Sequence, residues 1–233
     1  MIKRNERLAS VSLAVCAGIT AVAGLATGVV VPAGAAGGRA VSASLVPAVA
    51  SGPTEAKFLT AAQLPQGPRY RSWKAMPARA GLPDPRTFCL GGTMSPTTTS
   101  YTAYRSGTEA GAQHFIAVGA TDARATALAA KLKAKIQGCF QEWLELTGHS
   151  IYQGKRITAS WKRYGTYDVA DGLTVWGVFT SPPKPTPPTT HLYAVGRDGR
   201  TVTVLHLGLN GVQKDAPAGP FTETAETAMR EMY

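Results

Sequence analysis

The chain is poor in cysteine and has no short cysteine motif. Cys16 lies in an apolar N-terminal segment, whereas Cys89 and Cys139 lie far apart in the rest of the 233 residues. Because no CxxC pair occurs, a redox-active or metal-binding cysteine site is disfavoured. The two cysteines outside this N-terminal segment are an even number and can pair with each other in an oxidising compartment. We predict one structural disulfide that joins Cys89 to Cys139.

The chain also lacks the short motifs of common enzymes. It has no G-x-S-x-G nucleophile elbow, no phosphate-loop pattern and no carboxylate pair that can be assigned to acid–base work. Its 24 Lys and Arg exceed its 14 Asp and Glu, but they form no dense run with interleaved aromatics. That pattern disfavours nucleic acid as a partner. We therefore expect a non-catalytic protein with no cofactor and no metal.

The N-terminal segment has the pattern of an export signal. It begins with three positive side chains, Lys3, Arg4 and Arg7. An uncharged, apolar or small-residue stretch follows from Leu8 to Val31, and Ala33-Gly34-Ala35 then matches the small-residue site that signal peptidases accept. The sequence therefore predicts a signal peptide over residues 1–35 and a secreted, extracellular protein.

Two other fates of this segment stay open. An uncleaved segment is long enough to cross a bilayer, and only in that case do we expect membrane contact. Lipidation at Cys16 is a further alternative, although Val15 is not the small residue that a lipobox places before its cysteine. Residues 36–55 are rich in Ala, Ser, Gly, Val and Pro without a period, which predicts a flexible linker. Residues 56–233 are expected to form a single domain.

Hydrophobic periodicity predicts an α+β domain. A helix is predicted from Asp122 to about Trp143, because apolar residues recur at helical spacing along it and place Cys139 on the buried stripe. Shorter helices are predicted at 58–65 and at 220–232. Runs rich in Val, Thr, Tyr and Trp predict strands at 114–118, 157–167, 173–180, 191–195 and 201–207. The expected fold is a central antiparallel sheet with two flanking helices and one disulfide.

Two stretches are expected to remain outside the regular structure. Residues 66–112, with many Pro, Gly, Ser and Thr, are predicted to form a long irregular excursion that is held to the helix at Cys89. Residues 181–188, Ser-Pro-Pro-Lys-Pro-Thr-Pro-Pro, predict an exposed polyproline-type loop, because proline has no N–H to donate to a sheet. This loop is interpreted as a spacer, and a docking role is the alternative.

Two histidines are predicted to meet on the sheet. If Asp198-Gly199 forms a two-residue hairpin turn, His191 lies directly opposite His206. Such a pair can hold a metal or shuttle a proton, but zinc requires a third protein ligand, and the sequence indicates none. A longer turn would offset the two rings. A purely structural pair is the competing interpretation.

Aromatic residues follow the predicted strands and suggest a binding cleft. We expect the helices to cover only one face of the sheet fully, so that some aromatics line an open groove on the other. Each aromatic taken singly is interpreted as a core residue. The ligand-binding candidates combine aromatic contact residues with polar groups: Trp161, Trp176, Tyr193, His191, His206 and Arg163.

Several short segments resemble a known family. They are the Phe-Leu-Thr-Ala-Ala run at 58–62, Cys-Leu at 89–90, the Ala-rich helix ending in Gly138-Cys139, Val-Trp-Gly-Val at 175–178 and His-Leu-Tyr-Ala-Val-Gly-Arg-Asp-Gly at 191–199. Over residues 56–233 the chain is similar to the PknH-like extracellular sensor domains of actinobacteria. The resemblance implies an α+β fold with a cleft over an antiparallel sheet, disulfides, and ligand sensing without known catalysis.

The chain departs from the receptor versions of that family. It shows no kinase domain and no second transmembrane segment, and it has two cysteines after the leader where more are expected. We therefore predict a secreted, non-catalytic, sensor-like domain that captures a small molecule or a cell-envelope component in a cleft. A secreted metal-dependent hydrolase using His191 and His206, and an extracellular protein-interaction module using the proline-rich loop or the basic surface, are the alternatives.

Overall fold

The structure, a computed structural model, describes residues 57–147, 151–152, 155–182, 184, 187–211 and 216–231. The predicted signal peptide, the predicted linker and Cys16 lie outside the described residues, as do parts of the proline-rich loop. None of the helices within the described ranges combines the length and the apolar character that crossing a membrane requires.

The described chain folds into strands with one long and one shorter α-helix. The helices are α1, Asp122–Thr147, and α2, Ala218–Arg230, together with a single 3-10 turn at Ala61–Gln63. The strands are β1 Lys74–Ala75, β2 Arg79–Ala80, β3 Thr99–Ser106, β4 Ala110–Val118, β5 Ile151–Tyr152, β6 Lys155–Arg156, β7 Thr158–Tyr167, β8 Leu173–Ser181, β9 Thr189–Asp198 and β10 Thr201–Asn210.

The main sheet is antiparallel and runs in the order β1-β3-β4-β10-β9-β8-β7, with β2 also paired to β3. Strand β7 forms one edge, while β5 and β6 pair only with each other. The α+β class, the antiparallel sheet and the disulfide between Cys89 and Cys139 are therefore confirmed.

The two helices cover opposite faces of this sheet. Along β9, Leu192 and Ala194 belong to the core cluster that contains α2, whereas Tyr193 and Val195 belong to the cluster that contains α1. Alternate strand residues point to opposite faces, so both faces are apolar along their central parts. The expectation that the helices leave one face open is wrong, because β8, β9 and β10 bury consecutive residues along their central parts, and consecutive residues point to opposite faces.

The apolar stripe of α1 fixes the excursion that precedes β3. Ala125, Leu132 and Ile136 are buried against the sheet, and Cys139 continues the same stripe to the disulfide. The bond closes a loop with a sequence separation of 50 residues. In the chain-entropy account a loop of that length stabilises the fold by about 4 kcal/mol. Residues near Cys89 are thereby held over the sheet beside α1.

The excursion is more regular than its composition predicts. Residues 66–112 contain all of β3 and the first residues of β4, both of which were expected to be irregular. Strand β3 buries Thr99, Thr102, Tyr104 and Ser106, so most of its buried positions carry hydroxyl-bearing side chains. Small hydroxyl residues give a weak hydropathy signal, and only pairing with β4 shows this segment to be a strand.

Candidate functional site

The hairpin between β9 and β10 brings the two histidines together through a register that differs from the predicted one. Asp198 pairs with Thr201, so the turn residues are Gly199, at φ +51°, and Arg200. His191 therefore lies opposite Gly208 rather than opposite His206, and the predicted direct pairing is wrong. Because the observed register differs from the predicted one by two residues, an even number, both rings remain on the same face of the sheet.

Although His191 and His206 lie diagonally across β9 and β10, their two rings are within hydrogen-bond distance. His191 Nδ1 and His206 Nε2 are 3.0 Å apart, and the rings are 10° from parallel. Burial lowers the pKa of His191 to about 4. Burial, and then the nearby His191, lower the pKa of His206 well below its usual value. Both rings are therefore neutral near pH 7, and a single proton lies between them.

A neutral pair of this kind has one donor end and one acceptor end. If His206 Nε2 donates to His191 Nδ1, His191 carries its remaining proton on Nε2 and can donate it outward. In the other tautomer, His191 Nε2 is an acceptor. The buried Nδ1 of His206 has no hydrogen-bond partner among the described residues. The pair can therefore adapt to a donor or to an acceptor on a bound molecule.

The histidines stand at one side of a gap in the α1 face of the sheet. Reading across the strands, Arg105 on β3 pairs with Gly111 on β4, Gly111 pairs with Gly208 on β10, and Gly208 pairs with His191 on β9. The two adjacent glycines leave a strip of bare backbone between Arg105 and His191. At about 4.8 Å per strand, the Cα atoms of those two residues lie about 14 Å apart.

Polar side chains surround this strip and form what we call the groove. Its lining includes Arg105, Gly111, Gln113, His191, His206, Gly208 and Asn210. The groove has a volume of about 530 Å³, which is within the size range of small-molecule sites. It lies at the end of the sheet that carries the turn between β3 and β4, and no described residue of α1 lines it.

Two of the polar lining residues are held in place by neighbouring loops. Thr87 Oγ1 donates to Gln113 Oε1 at 2.6 Å, which leaves the Gln113 amide nitrogen as a donor with no partner in the described structure. The Asn210 backbone N–H donates to Glu109 O at 2.9 Å, and its side-chain nitrogen lies 3.5 Å from Thr108 O. The disulfide-linked excursion and the β3–β4 turn therefore position the polar rim.

The backbone conformation does not explain why positions 111 and 208, which form the floor of the groove, are glycines. Neither Gly111 nor Gly208 has a positive φ. A Cβ on Gly208 would approach His191 Nδ1 and His206 Cε1 at 3.5 Å, and a Cβ on Gly111 would meet nothing nearer than Tyr104 O at 3.8 Å. These are ordinary contacts, so alanine would fit. Glycine weakens a strand, and its presence here is typical of a place where another molecule approaches the backbone.

Charge in the groove is not balanced. Arg105 and Glu109 both line it, but Glu109 Oε2 is paired with Arg69 Nε at 3.1 Å. The exposed Arg105 guanidinium has neither an ion pair nor a hydrogen bond among the described residues. Lys74 on β1 pairs directly opposite Arg105, so a second cation stands beside it on the same face. The β3 side of the groove is therefore positive.

The aromatic candidates at the centre of the sheet lie in the core. Trp176 is 1% exposed and Tyr193 is completely buried. Tyr193 stacks on His206, with ring centroids 4.8 Å apart, and its hydroxyl donates to Phe88 O at 2.9 Å. Tyr193 therefore packs against the histidine pair, and Trp176 lies opposite Tyr193 on β8. A direct contact of either ring with a ligand stays a prediction.

The remaining two candidates lie elsewhere on the same face. Trp161, which is 52% exposed, and Arg163 belong to the edge strand β7. Arg163 donates to Thr166 Oγ1. Buried Val178 on β8 stands between Trp161 and His191 in the row across the strands. The six candidates thus share one face, but the structure brings only His191 and His206 into the groove.

The groove also contains residues that the sequence did not indicate. Arg105, Gly111 and Gln113 fall in or beside the stretch expected to be irregular, and Asn210 lies past the predicted end of the last strand. The small-residue alternation of Ala110-Gly111-Ala112 was the available signal. For metal chemistry, the described residues contain no group of three His, Cys, Asp or Glu that could hold an ion.

Comparisons with known proteins return a distant structural neighbour. No family model matches the chain, and no curated protein matches it. The crystal structure of the extracellular domain of PknH from Mycobacterium tuberculosis is similar, with a TM-score of 0.41 and 8% sequence identity, covering 68% of this chain and 86% of that chain. Membership of this chain in the PknH-like sensor family therefore stays a prediction.

Proposed function

We propose that this chain is a non-catalytic binding protein that holds a small polar molecule, or the end of a cell-envelope component, in the groove. The observation that carries the proposal is the directly paired Gly111 and Gly208, which keep a floor of bare backbone between Arg105 and His191. Convergent polar groups around a preformed cavity are what small-molecule recognition requires.

The chemistry of the lining supports binding rather than catalysis. Its histidines are neutral and hydrogen-bonded to each other, and its one acidic group, Glu109, is already paired with Arg69. Among the described lining residues there is no serine, cysteine or lysine that the histidine pair could activate as a nucleophile. Secretion, which the N-terminal segment predicts, would expose the groove to molecules of the cell envelope or the medium.

The proposal can be tested by adding a side chain at Gly208, on the floor of the groove. Gly208→Val adds a branched side chain that points at His191 and His206, in a strand where valine is favoured. Wild-type protein is incubated with a concentrated small-molecule extract of culture medium and cell envelope, and native mass spectrometry detects any retained mass. We expect the wild type to retain a molecule that Gly208→Val does not retain.

The matched control is Gly138→Ala on α1, where a Cβ meets nothing within 4 Å. Circular dichroism establishes that all three proteins are folded. Retention by Gly138→Ala together with loss in Gly208→Val supports binding in the groove. Equal retention by Gly208→Val, or a folded wild type that retains nothing from the extract, would contradict the proposal.

A further inference from the structure

We propose that the ligand of the groove is a small organic anion whose carboxylate or phosphate group is bound by Arg105, with its polar body over Gly111 and Gly208 toward His191. This inference rests on the proposed function and adds the chemical class of the ligand. It depends on the charges at the rim of the groove and on the distances across its floor.

The first argument is the state of the charged groups. Glu109 Oε2 is paired with Arg69, whose Nη1 also lies 3.4 Å from Gly211 O, and no ion pair joins Glu109 to Arg105 in the described structure. One carboxylate beside two guanidinium groups leaves one positive charge in excess. Both histidines are neutral near pH 7 and add no charge of either sign. The groove is therefore left with one uncompensated guanidinium. A neutral ligand would leave it uncompensated, whereas an anion would pair with it.

The second argument is the pairing of Lys74 with Arg105 across β1 and β3. Like charges that lie directly opposite each other in an antiparallel pair are destabilising. Both side chains are exposed, and neither has an ion pair among the described residues. An anion at the rim would relieve this repulsion. The pairing of Lys74 with Arg105 therefore favours an anionic ligand over a neutral one.

The third argument is the match of donors to an anion. A guanidinium presents its N–H groups as a planar fork, which binds two oxygens of a carboxylate or a phosphate at once. The Gln113 amide nitrogen is a further donor, and the His191–His206 pair can place a proton on His191 Nε2. The groove thus offers donors at both ends and between them, over a floor where no side chain obstructs a ring or a short chain.

The size of the gap limits the ligand. Arg105 and His191 are about 14 Å apart at their Cα atoms. The His191 ring leans over Gly208, where a Cβ would lie 3.5 Å from His191 Nδ1. A groove of about 530 Å³ that both side chains line accommodates a single sugar ring or an organic acid of similar size. A free metabolite and the terminal residue of an anionic polymer both satisfy this chemistry.

The experiment uses simple anions as probes. Acetate and inorganic phosphate are titrated separately into the folded protein at constant ionic strength, and the Cε1–H signal of His191 is followed by NMR, after its assignment with a His191→Gln variant. We expect a saturable shift with at least one anion. In Arg105→Gln, the affinity for that anion should fall about tenfold or more, because a charge-assisted hydrogen bond is lost.

Two further variants separate specific binding from the general effect of charge. Arg200→Gln removes the same charge in the exposed β9–β10 turn, at the opposite end of these strands, and should leave the affinity unchanged. Arg105→Lys keeps the charge but loses the planar fork, so an intermediate affinity is expected. Equal losses in Arg105→Gln and Arg200→Gln would overturn the assignment to Arg105.

A neutral probe and larger anions complete the test. If glucose produces the same saturable shift as the anions, and Arg105→Gln does not weaken it, the anion assignment fails while the proposed function stands. If no anion shifts the signal, the anion assignment fails, and retention in the native mass spectrum still decides the proposed function. Glucuronate and glucose 6-phosphate, compared with a soluble polyglycerol phosphate, then distinguish a free metabolite from the end of a polymer.

Discussion

His114 should make the protein sensitive to mild acid. This side chain on β4 is completely buried, and its Nδ1 accepts a hydrogen bond from the Leu59 N–H at 3.3 Å. Its Nε2 has no partner among the described residues. Burial lowers the pKa of His114 from its usual 6.5 to about 3, so the ring is neutral in the folded state down to low pH.

The size of the effect follows from the difference between the folded and unfolded pKa values. The unfolded chain takes up a proton at this position as the pH falls through its ordinary value, whereas the folded chain does not, so the free energy of unfolding decreases with falling pH. Between about pH 7.5 and about pH 5, a group with these two pKa values removes about 2 kcal/mol of stability. This contribution is fully present above the unfolded pKa.

The perturbation is His114→Gln, which keeps an acceptor for Leu59 and cannot titrate. The assay is urea unfolding of variant and wild type at both pH values, with the free energy of unfolding extrapolated to water. The variant is expected to be less stable near neutrality, because its packing is poorer, but to lose about 2 kcal/mol less than the wild type on acidification. The histidine pair in the groove contributes equally to both proteins.

The comparison is between two pH dependences rather than two absolute stabilities. If His114→Gln and the wild type lose the same free energy on acidification, His114 is already charged in the folded state or is not buried, and the reasoning is wrong. His114→Asn, with a shorter amide, provides a second variant for the same comparison if glutamine does not fit the site.

Two further predictions concern stability. Replacing both Cys89 and Cys139 by alanine should lower the free energy of unfolding by about 4 kcal/mol in chemical denaturation, and a loss below about 1 kcal/mol would show that the closed loop is already constrained by other contacts. Gly196→Ala should destabilise the protein by about 1–3 kcal/mol, because its Cβ would lie 2.1 Å from Met229 Sδ. The matched Gly138→Ala has open space and should be stabilising by about 0.5–1 kcal/mol, so equal thermal unfolding midpoints in the two variants would contradict this account.

The groove shows why only part of a site can be predicted from a sequence. His191 and His206 could be paired because they lie on consecutive strands, where one hairpin turn sets their register. The predicted turn lies one residue before the observed one, but the resulting shift in pairing is two residues, so both rings remain on one face. The two histidines are therefore neighbours even though the predicted turn was wrong by one residue.

Arg105 and Gly111 could not be found in the same way. They meet Gly208 and His191 only because β4 pairs with β10, a contact between segments about a hundred residues apart in the chain. The strand that carries Arg105 is rich in Thr and Ser, and its burial depends on the strands beside it rather than on its own hydropathy. Trp176 and Tyr193 show the opposite kind of error. Their residue types suggested a binding cleft, but both lie in the core because α1 covers them.

The sequence by itself determined the elements whose signals are local: the long helix α1, the strands β7 to β10, the α+β class, and the disulfide that the compartment and the cysteine count imply. Only the tertiary structure decided which face each helix covers and that β3 joins the sheet. It also decided that two glycines, two histidines and an arginine with no ion pair among the described residues border one groove. Periodicity and turn chemistry act within a few residues, whereas the order of strands is set by burial and hydrogen bonding between distant segments.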